Sequence, residues 1–383
     1  MRVLLIAQWE WHGPARIPKA LKQVGCEVTA ICRKGDWTSL SRHVDRFVYV
    51  DTNNEAAILS TLDRTIREWR PEIILPGTDN MVETLSKYRN AIESGQVDLD
   101  QELSNVVKRS LADKAKESFI GGKIDLLNAM ESLGHPIAPQ AEIFTLGDAD
   151  RFVQEHGYPV VLKPDAGFAG MGIKFCNSEE ELLPELNAIL AKTPRVRYAI
   201  QKHLGRKTAL IEFAALEGKL LAANSVYRLR TYPGDTGPTS VAKVVKGTTM
   251  RSTAEALCEF LGYSGFGVAQ FMVEDETCEP AYMIELNPRM SSFIHLWKLM
   301  GTDLVSVLLH ATRGERYRIE PVKEGLTVAL HPQETLRDRN SEFLDGLRDR
   351  ADDEPELNEA FQELIRKRWE QADSADPVSP AAQ

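Results

Sequence analysis

The stretch from Tyr158 to Cys176, YPVVLKPDAGFAGMGIKFC, narrows the folds open to this chain more than any other part of the sequence. An apolar run delivers Lys163, then Gly167, Gly170 and Gly172 sit in a turn, and a second apolar run leaves it. Glycines let backbone N–H groups close around phosphate oxygens, while a lysine adds a point charge. A Walker A loop needs GxxxxGK[ST] between a strand and a helix, and a dinucleotide loop also opens a helix. A glycine-rich turn between two strands fits neither. Taken alone, such a hairpin is more often just a turn.

The first hundred residues read as an open, doubly wound α/β domain. VLLIA at 3–7 has the composition of a buried parallel strand, Ile17, Ala20, Leu21 and Val24 share a helical face, and β-type composition returns at 27–32. A short strand at 47–50, a helix carrying Ile58, Leu59, Leu62, Ile66 and Trp69, and a strand at 73–75 continue the pattern. Where a GxGxxG turn would follow the first strand, the chain has AQWEWHGPARI. Trp9 and Trp11 occupy the place of the glycines, so an NAD reading is weak.

Residues 113–133 read as two short helices broken at Gly121-Gly122, and a small α+β module of about the size of a lid follows at 141–201. Long β-type segments at 208–231, 239–246 and 266–287 come next, with a helix at 252–261 and further helices from about 293 to 312. The expected domains are 1–110 (α/β), 111–325 (lid plus β-rich core), a charged helical segment at 326–370 and a disordered tail at 371–383.

Charge and cysteine content exclude several functions. The net charge is −10, and residues 331–383, with fourteen acidic and seven basic side chains, carry −7 of it. The body is nearly neutral, which argues against a nucleic-acid surface. Cys26, Cys32, Cys176, Cys258 and Cys278 lack CxxC spacing, so neither a disulfide framework nor a zinc site is indicated. The N-terminal apolar run is too short for a signal-peptide core or a membrane span. A cytoplasmic location without a membrane partner is expected, and a homodimer is compatible with the sequence.

GVAQFMVEDETCEPAYMIELNPRMSS reads as a β-hairpin. With a side-chain period of two, Glu285 and Asn287 share one face about 7 Å apart. Gln270 then falls opposite one of them, with β-carbons roughly 5 Å away. One carboxylate and two amides, without histidine or thiol, suit a hard cation such as Mg²⁺, with Mn²⁺ as a substitute.

Together with LADKAKESF and AIQKHLGRKTALIEF, these segments resemble the ATP-grasp superfamily, most closely its carbamoyl-phosphate-synthase-like branch, over residues 1 to about 315. The resemblance implies an ATP-grasp fold and ATP with Mg²⁺ as cofactors. It implies that Lys114 and Lys163 bind ATP phosphates and that the turn holding Gly167, Gly170 and Gly172 is the lid loop. It further implies a hinge at Gln201 to Leu204, where the backbone of Lys202 and Leu204 reads adenine. Gln270, Glu285 and Asn287 would hold Mg²⁺, and Arg289 would stabilise the transferring phosphoryl group. Two positions depart from the family pattern: the hinge usually carries acidic residues where Gln201 and Thr208 stand, and Glu212 is a candidate ribose ligand in their place.

The activity implied is a carboxylate–amine ligase acting on two small molecules through an acyl phosphate. A carboxylase remains open, a carbamoyl-phosphate synthase fits poorly without a second copy or a glutaminase-like segment, and a degenerate ATP sensor is the alternative from another class. Candidates for gripping a substrate are Arg228 and Arg230, expected on one face of SVYRLRTYP, and the Trp9, Trp11, His12 and Arg16 segment.

Overall fold

A computed structural model describes residues 1–165, 172–192, 196–205, 207–235 and 237–374. The N-terminal unit begins with β1 (Arg2–Ile6), α1 (His12–Gln23), β2 (Glu27–Cys32) and β3 (Arg46–Tyr49). It is completed by α2 (Glu55–Trp69), β4 (Ile73–Pro76), α3 (Asp79–Glu93) and α4 (Gln101–Lys108). The four strands are parallel in the order β3-β2-β1-β4, and β1, apolar on both faces, is central and buried. Chain order reverses beside β1, so the loops after β1 and β4 meet at a switch point, where a doubly wound sheet leaves a crevice.

A short helix, α5 (Glu117–Gly121), and α6 (Lys123–Ser132) lead into the lid. Gly122 stands between them as the N-cap of α6, the break expected from the sequence. The lid holds β5 (Gln140–Glu142), α7 (Leu146–His156), β6 (Val160–Pro164), β7 (Lys174–Cys176), α8 (Glu179–Leu190) and β8 (Tyr198–Lys202). Its sheet runs β5-β8-β6-β7 over a small apolar core of its own, which includes Phe152, Leu162, Leu186 and Ile200.

The largest sheet contains β9 (Lys207–Leu216), β10 (Lys219–Thr231), β11 (Thr239–Val245), β12 (Gly265–Val273) and β13 (Ala281–Asn287), with α9 (Thr248–Leu261) between β11 and β12. After α10 (Trp297–Met300) and α11 (Leu304–Thr312), a last strand, β14 (Thr327–Ala329), completes the order β13-β12-β9-β10-β11-β14. One face packs on α9 through Ile211, Phe213, Ala269 and Phe271. The other, through Leu210, Ala214 and Val226, packs in one core with α11 and with the N-terminal unit. Alternation along each strand therefore assigns each residue to one layer.

The C-terminal part differs from its expected form. Residues 338–354 are irregular apart from one short 3₁₀ turn, and only α12 (Gln333–Arg337) and α13 (Pro355–Ser374) are α-helical. The helix continues past residue 370, so Gln371 to Ser374, expected in a disordered tail, belong to it. Residues 375–383 lie outside the described residues. The extension packs on α1, because Arg16 is buried there and donates to Glu354 (3.2 Å), Asp349 (3.0 Å) and the carbonyl of Arg350 (2.5 Å).

Candidate active site

The hairpin of β12 and β13 supplies the first part of the site. Gln270 pairs with Glu285 and Val268 with Asn287, so the expected facing of Gln270 and Glu285 is present. A bulge follows Gln270, and such bulges re-aim side chains locally. Asn287 donates its amide to Glu285 Oε1 at 3.3 Å.

Two lysines reach this carboxylate's surroundings from separate elements. Asp165, just after β6, accepts from the backbone N–H of Ile124 through Oδ1 (2.8 Å), and its carbonyl accepts from Lys123 N–H (3.2 Å). Those bonds satisfy two otherwise unpaired donors at the start of α6 and hold that helix end against the lid strand. Lys123 Nζ lies 3.4 Å from Glu285 Oε2. Lys163, on β6, donates to Gln201 Oε1 at 2.7 Å. Burial lowers the Lys163 pKa to about 8, with Glu285 opposing the shift and Lys123 adding to it.

Lys114 does not join them. Its side chain is half exposed and pairs with Glu93 Oε2 at 2.5 Å, on the flank of the N-terminal unit. The second lysine of the site is Lys123. A lysine directly after the Gly121-Gly122 break, in the first turn of a helix, was the available signal.

Arg289 closes the row. It donates to Asn287 Oδ1 (3.3 Å), to Asp79 Oδ2 (2.8 Å) and to the Met290 carbonyl (3.4 Å), and its guanidinium lies 5.0 Å from the centre of the Trp11 ring. Trp11 follows β1 and Asp79 follows β4, so the N-terminal crevice opens onto the hairpin. Trp9, by contrast, is 54% exposed at the rim.

At the hinge, Lys202 N–H is bonded to Pro139 O (2.8 Å) and His203 N–H to Pro159 O (3.1 Å). Among the described residues Leu204 N–H has no partner, and its side chain packs with Ala138, Met272 and Ile284 in a small apolar cluster. The Lys202 ammonium turns to the carbonyls of Gly157 (3.2 Å) and Tyr158 (2.8 Å). Gly172 has φ +77, and a Cβ there would come within 3.4 Å of Pro164 and Tyr198. Gly167 and Gly170 lie outside the described residues.

Glu212 is unavailable to a ribose. It is fully buried and accepts from Ser291 N–H (2.6 Å), Ser291 Oγ (2.6 Å) and Trp297 Nε1 (2.5 Å), fixing the segment that follows Arg289. Burial raises its pKa to about 7, against those three donors. Arg228 and Arg230 part company as well. A bulge between them breaks the expected common face. Arg228 is buried on Thr239 Oγ1 (3.0 Å), Thr208 Oγ1 (3.1 Å) and the Gly237 carbonyl. Burial lowers its pKa to about 10, opposed by Glu285. Arg230 instead binds Glu334 (3.1 Å) and Ser341 (3.2 Å), anchoring the C-terminal extension. Arg16 is likewise consumed by its buried carboxylates, so neither it nor Arg230 is free to grip a substrate.

Residues 123–212 and 237–320 match the profile of the carbamoyl-phosphate synthase L chain, ATP binding domain. Among solved structures, the biotin carboxylase domain of Hydrogenobacter thermophilus 2-oxoglutarate carboxylase, in complex with MgADP, ADP and bicarbonate, is similar at 19% identity and a TM-score of 0.64, covering 85% of this chain and 73% of that one. Campylobacter jejuni biotin carboxylase, in a complex with β-γ-ATP, gives 17%, 0.62, 83% and 73%. N5-carboxyaminoimidazole synthetase from Staphylococcus aureus, complexed with ADP, gives 12%, 0.58, 83% and 78%. At these identities the likeness is one of fold. The fold is therefore ATP-grasp, and residues 123–212 and 237–320 within it are similar to a carbamoyl-phosphate synthase ATP-binding domain. No described helix is long and apolar enough to cross a membrane.

Proposed function

We propose that this chain is an ATP- and Mg²⁺-dependent ligase that activates a small-molecule carboxylate as an acyl phosphate and couples it to an amine, releasing ADP and phosphate. The observation that carries the reading is the continuous row Lys123–Glu285–Asn287–Arg289, with Lys163 beside it. Cations placed on both sides of an oxygen-donor cluster are what phosphoryl transfer needs, since the catalytic task there is charge neutralisation and positioning.

Gln270, Glu285 and Asn287 would hold the metal, which supplies charge neutralisation at the phosphate oxygens. A single carboxylate with two amides is an incomplete set for Mg²⁺ and fits a cation that shares its remaining positions with phosphate and water. Adenine would lie against the apolar cluster of Ala138, Leu204, Met272 and Ile284, where Leu204 N–H offers a donor. Lys123 and Lys163 then lie along the phosphates, and Arg289 faces the site of attack. The substrate carboxylate oxygen attacks the γ-phosphorus, the bond to the β–γ bridging oxygen breaks, and ADP leaves. The amine nitrogen next adds to the acyl carbon and phosphate departs. Closure of the 141–201 lid would keep water from the acyl phosphate.

An ¹⁸O-labelled acid tests the route. The label is expected in the released phosphate, with ADP as the nucleotide product. AMP, or phosphate without label, would overturn the proposal. If the acid is bicarbonate, as the carboxylase relatives suggest, the same label follows the same path.

A further inference from the structure

The described residues leave seventeen buried side-chain N and O atoms without a hydrogen-bond partner, and nine belong to Gln8, Trp11, His12, His295, His331 and Gln333. Gln8 and Trp11 lie in the loop after β1 and His12 opens α1, His295 follows Arg289, and His331 and Gln333 stand between β14 and the first turn of α12. Buried polar atoms in native proteins are nearly all paired, so a concentration of orphans calls for an occupant. The His12 ring, 8% exposed and with neither nitrogen bonded, sits 4.8 Å from Trp37, 5.7 Å from Trp11 and 5.8 Å from Phe361, measured between ring centres. The ring centre of His331 lies 5.6 Å from that of Phe361. His295 holds Asp349 at 3.0 Å through Nε2 while its Nδ1 is unpartnered. Trp11 links this cluster to the row above, because Arg289 stacks on its ring.

We infer that this cluster is the acceptor subsite, and that the amine it takes carries an uncharged, flat group with hydrogen-bond donors and acceptors, such as an amide or a heterocycle. The inference rests on the ligase reading and names its second substrate. Burial holds His12 neutral, lowering its pKa to about 3, so its ring offers one donor and one acceptor. Asp349 is already matched by Arg16 and His295 and is not free to take an ammonium group. An indole N–H and neutral imidazoles among aromatic faces form a surface that rewards complementary neutral groups and rejects partners lacking them. Phe361, from α13, forms part of the wall, which gives the C-terminal extension a place in the site.

The test uses His12→Phe and His331→Phe in the full chain. Replacing an orphaned polar side chain by an apolar one of similar size is close to neutral for folding, so both variants should melt near the wild type. Hydroxylamine, a nucleophile small enough to need no subsite, reports acyl phosphate formation as hydroxamate. With the acid and amine returned by a phosphate-release screen, both variants should keep hydroxamate formation within twofold and lose at least tenfold in kcat/KM for the amine. No hydroxamate from the wild type would sink the ligase reading itself. Unchanged kcat/KM for the amine in both variants, or full activity of the wild type with ethylamine, would overturn the acceptor subsite alone.

Discussion

Arg289 donates from Nε to Asp79 Oδ2 across 2.8 Å, a bond between residues 210 positions apart that ties the β13 hairpin to the end of β4. The guanidinium is thereby fixed in plane, with Trp11 against one face. A charge that must meet a transferring phosphoryl group gains from being held beforehand, because misplacement by an ångström can cost a hundredfold. Asp79→Ala should lower kcat by about ten- to a hundredfold with little change in KM for ATP. Asp79→Asn, which keeps an acceptor, should recover most of the loss. Equal kcat for Asp79→Ala and wild type would show that the bond does not position Arg289.

Lys123 and Lys114 make a clean pair for mutation. Lys123 faces Glu285, whereas Lys114 is half exposed on Glu93. Lys123→Ala should reduce kcat/KM for MgATP by roughly a hundredfold, in line with loss of a charge-assisted contact of about 3 kcal/mol. Lys114→Ala should stay within about twofold, since exposed ion pairs contribute at most about 1 kcal/mol. The opposite ranking in steady-state kinetics would return the role to Lys114.

Lys163 sets a pH dependence. Burial and the neighbouring Lys123 bring its pKa to about 8, so its charge is present below that pH and lost above it. In the free protein kcat/KM for MgATP should therefore fall through an alkaline limb near pH 8. Bound phosphate stabilises the ammonium, so the limb in kcat should lie higher. Lys163→Arg should remove the limb. A flat kcat/KM profile from pH 7 to 9.5 in the wild type would count against a phosphate contact by this lysine.

Local periodicity made much of this legible from sequence. The parallel strands of the N-terminal unit, the break at Gly121-Gly122 and the Gln270–Glu285 facing depend on side-chain spacing and turn chemistry. What failed depends on contacts or distortions that spacing does not encode. Arg228 and Arg230 look like partners at period two, but the bulge between them sends one into the sheet and the other to Glu334. Arg16 looks free until residues 349–354, more than 330 positions away, come back over α1. Lys123 is not legible as a site residue because the sequence does not show that Asp165 pulls the start of α6 against the lid strand. Glu212 reads as a candidate ribose ligand, yet the segment after Arg289 covers it completely.

Glu212 sets two effects against each other. Burial favours the protonated acid, and the donors from Ser291 and Trp297 favour the carboxylate; burial wins, leaving the pKa at about 7. The native state then holds a proton that the unfolded chain, near its ordinary value of 4.5, has already lost. Stability from this residue is full below pH 4.5, declines as pH rises towards about 7, and is level beyond it. The loss across that window is of order 3 kcal/mol. Glu212→Gln is neutral at every pH and removes this dependence while keeping the shape. Urea unfolding of both proteins at pH 5 and pH 8 isolates the term, because all other titrating groups cancel in the difference. The wild type's advantage over Glu212→Gln should be larger at pH 5 and shrink by about 2–3 kcal/mol at pH 8. An advantage that stays constant or grows with pH would mean that the three donors prevail and that Glu212 is ionised in the folded protein.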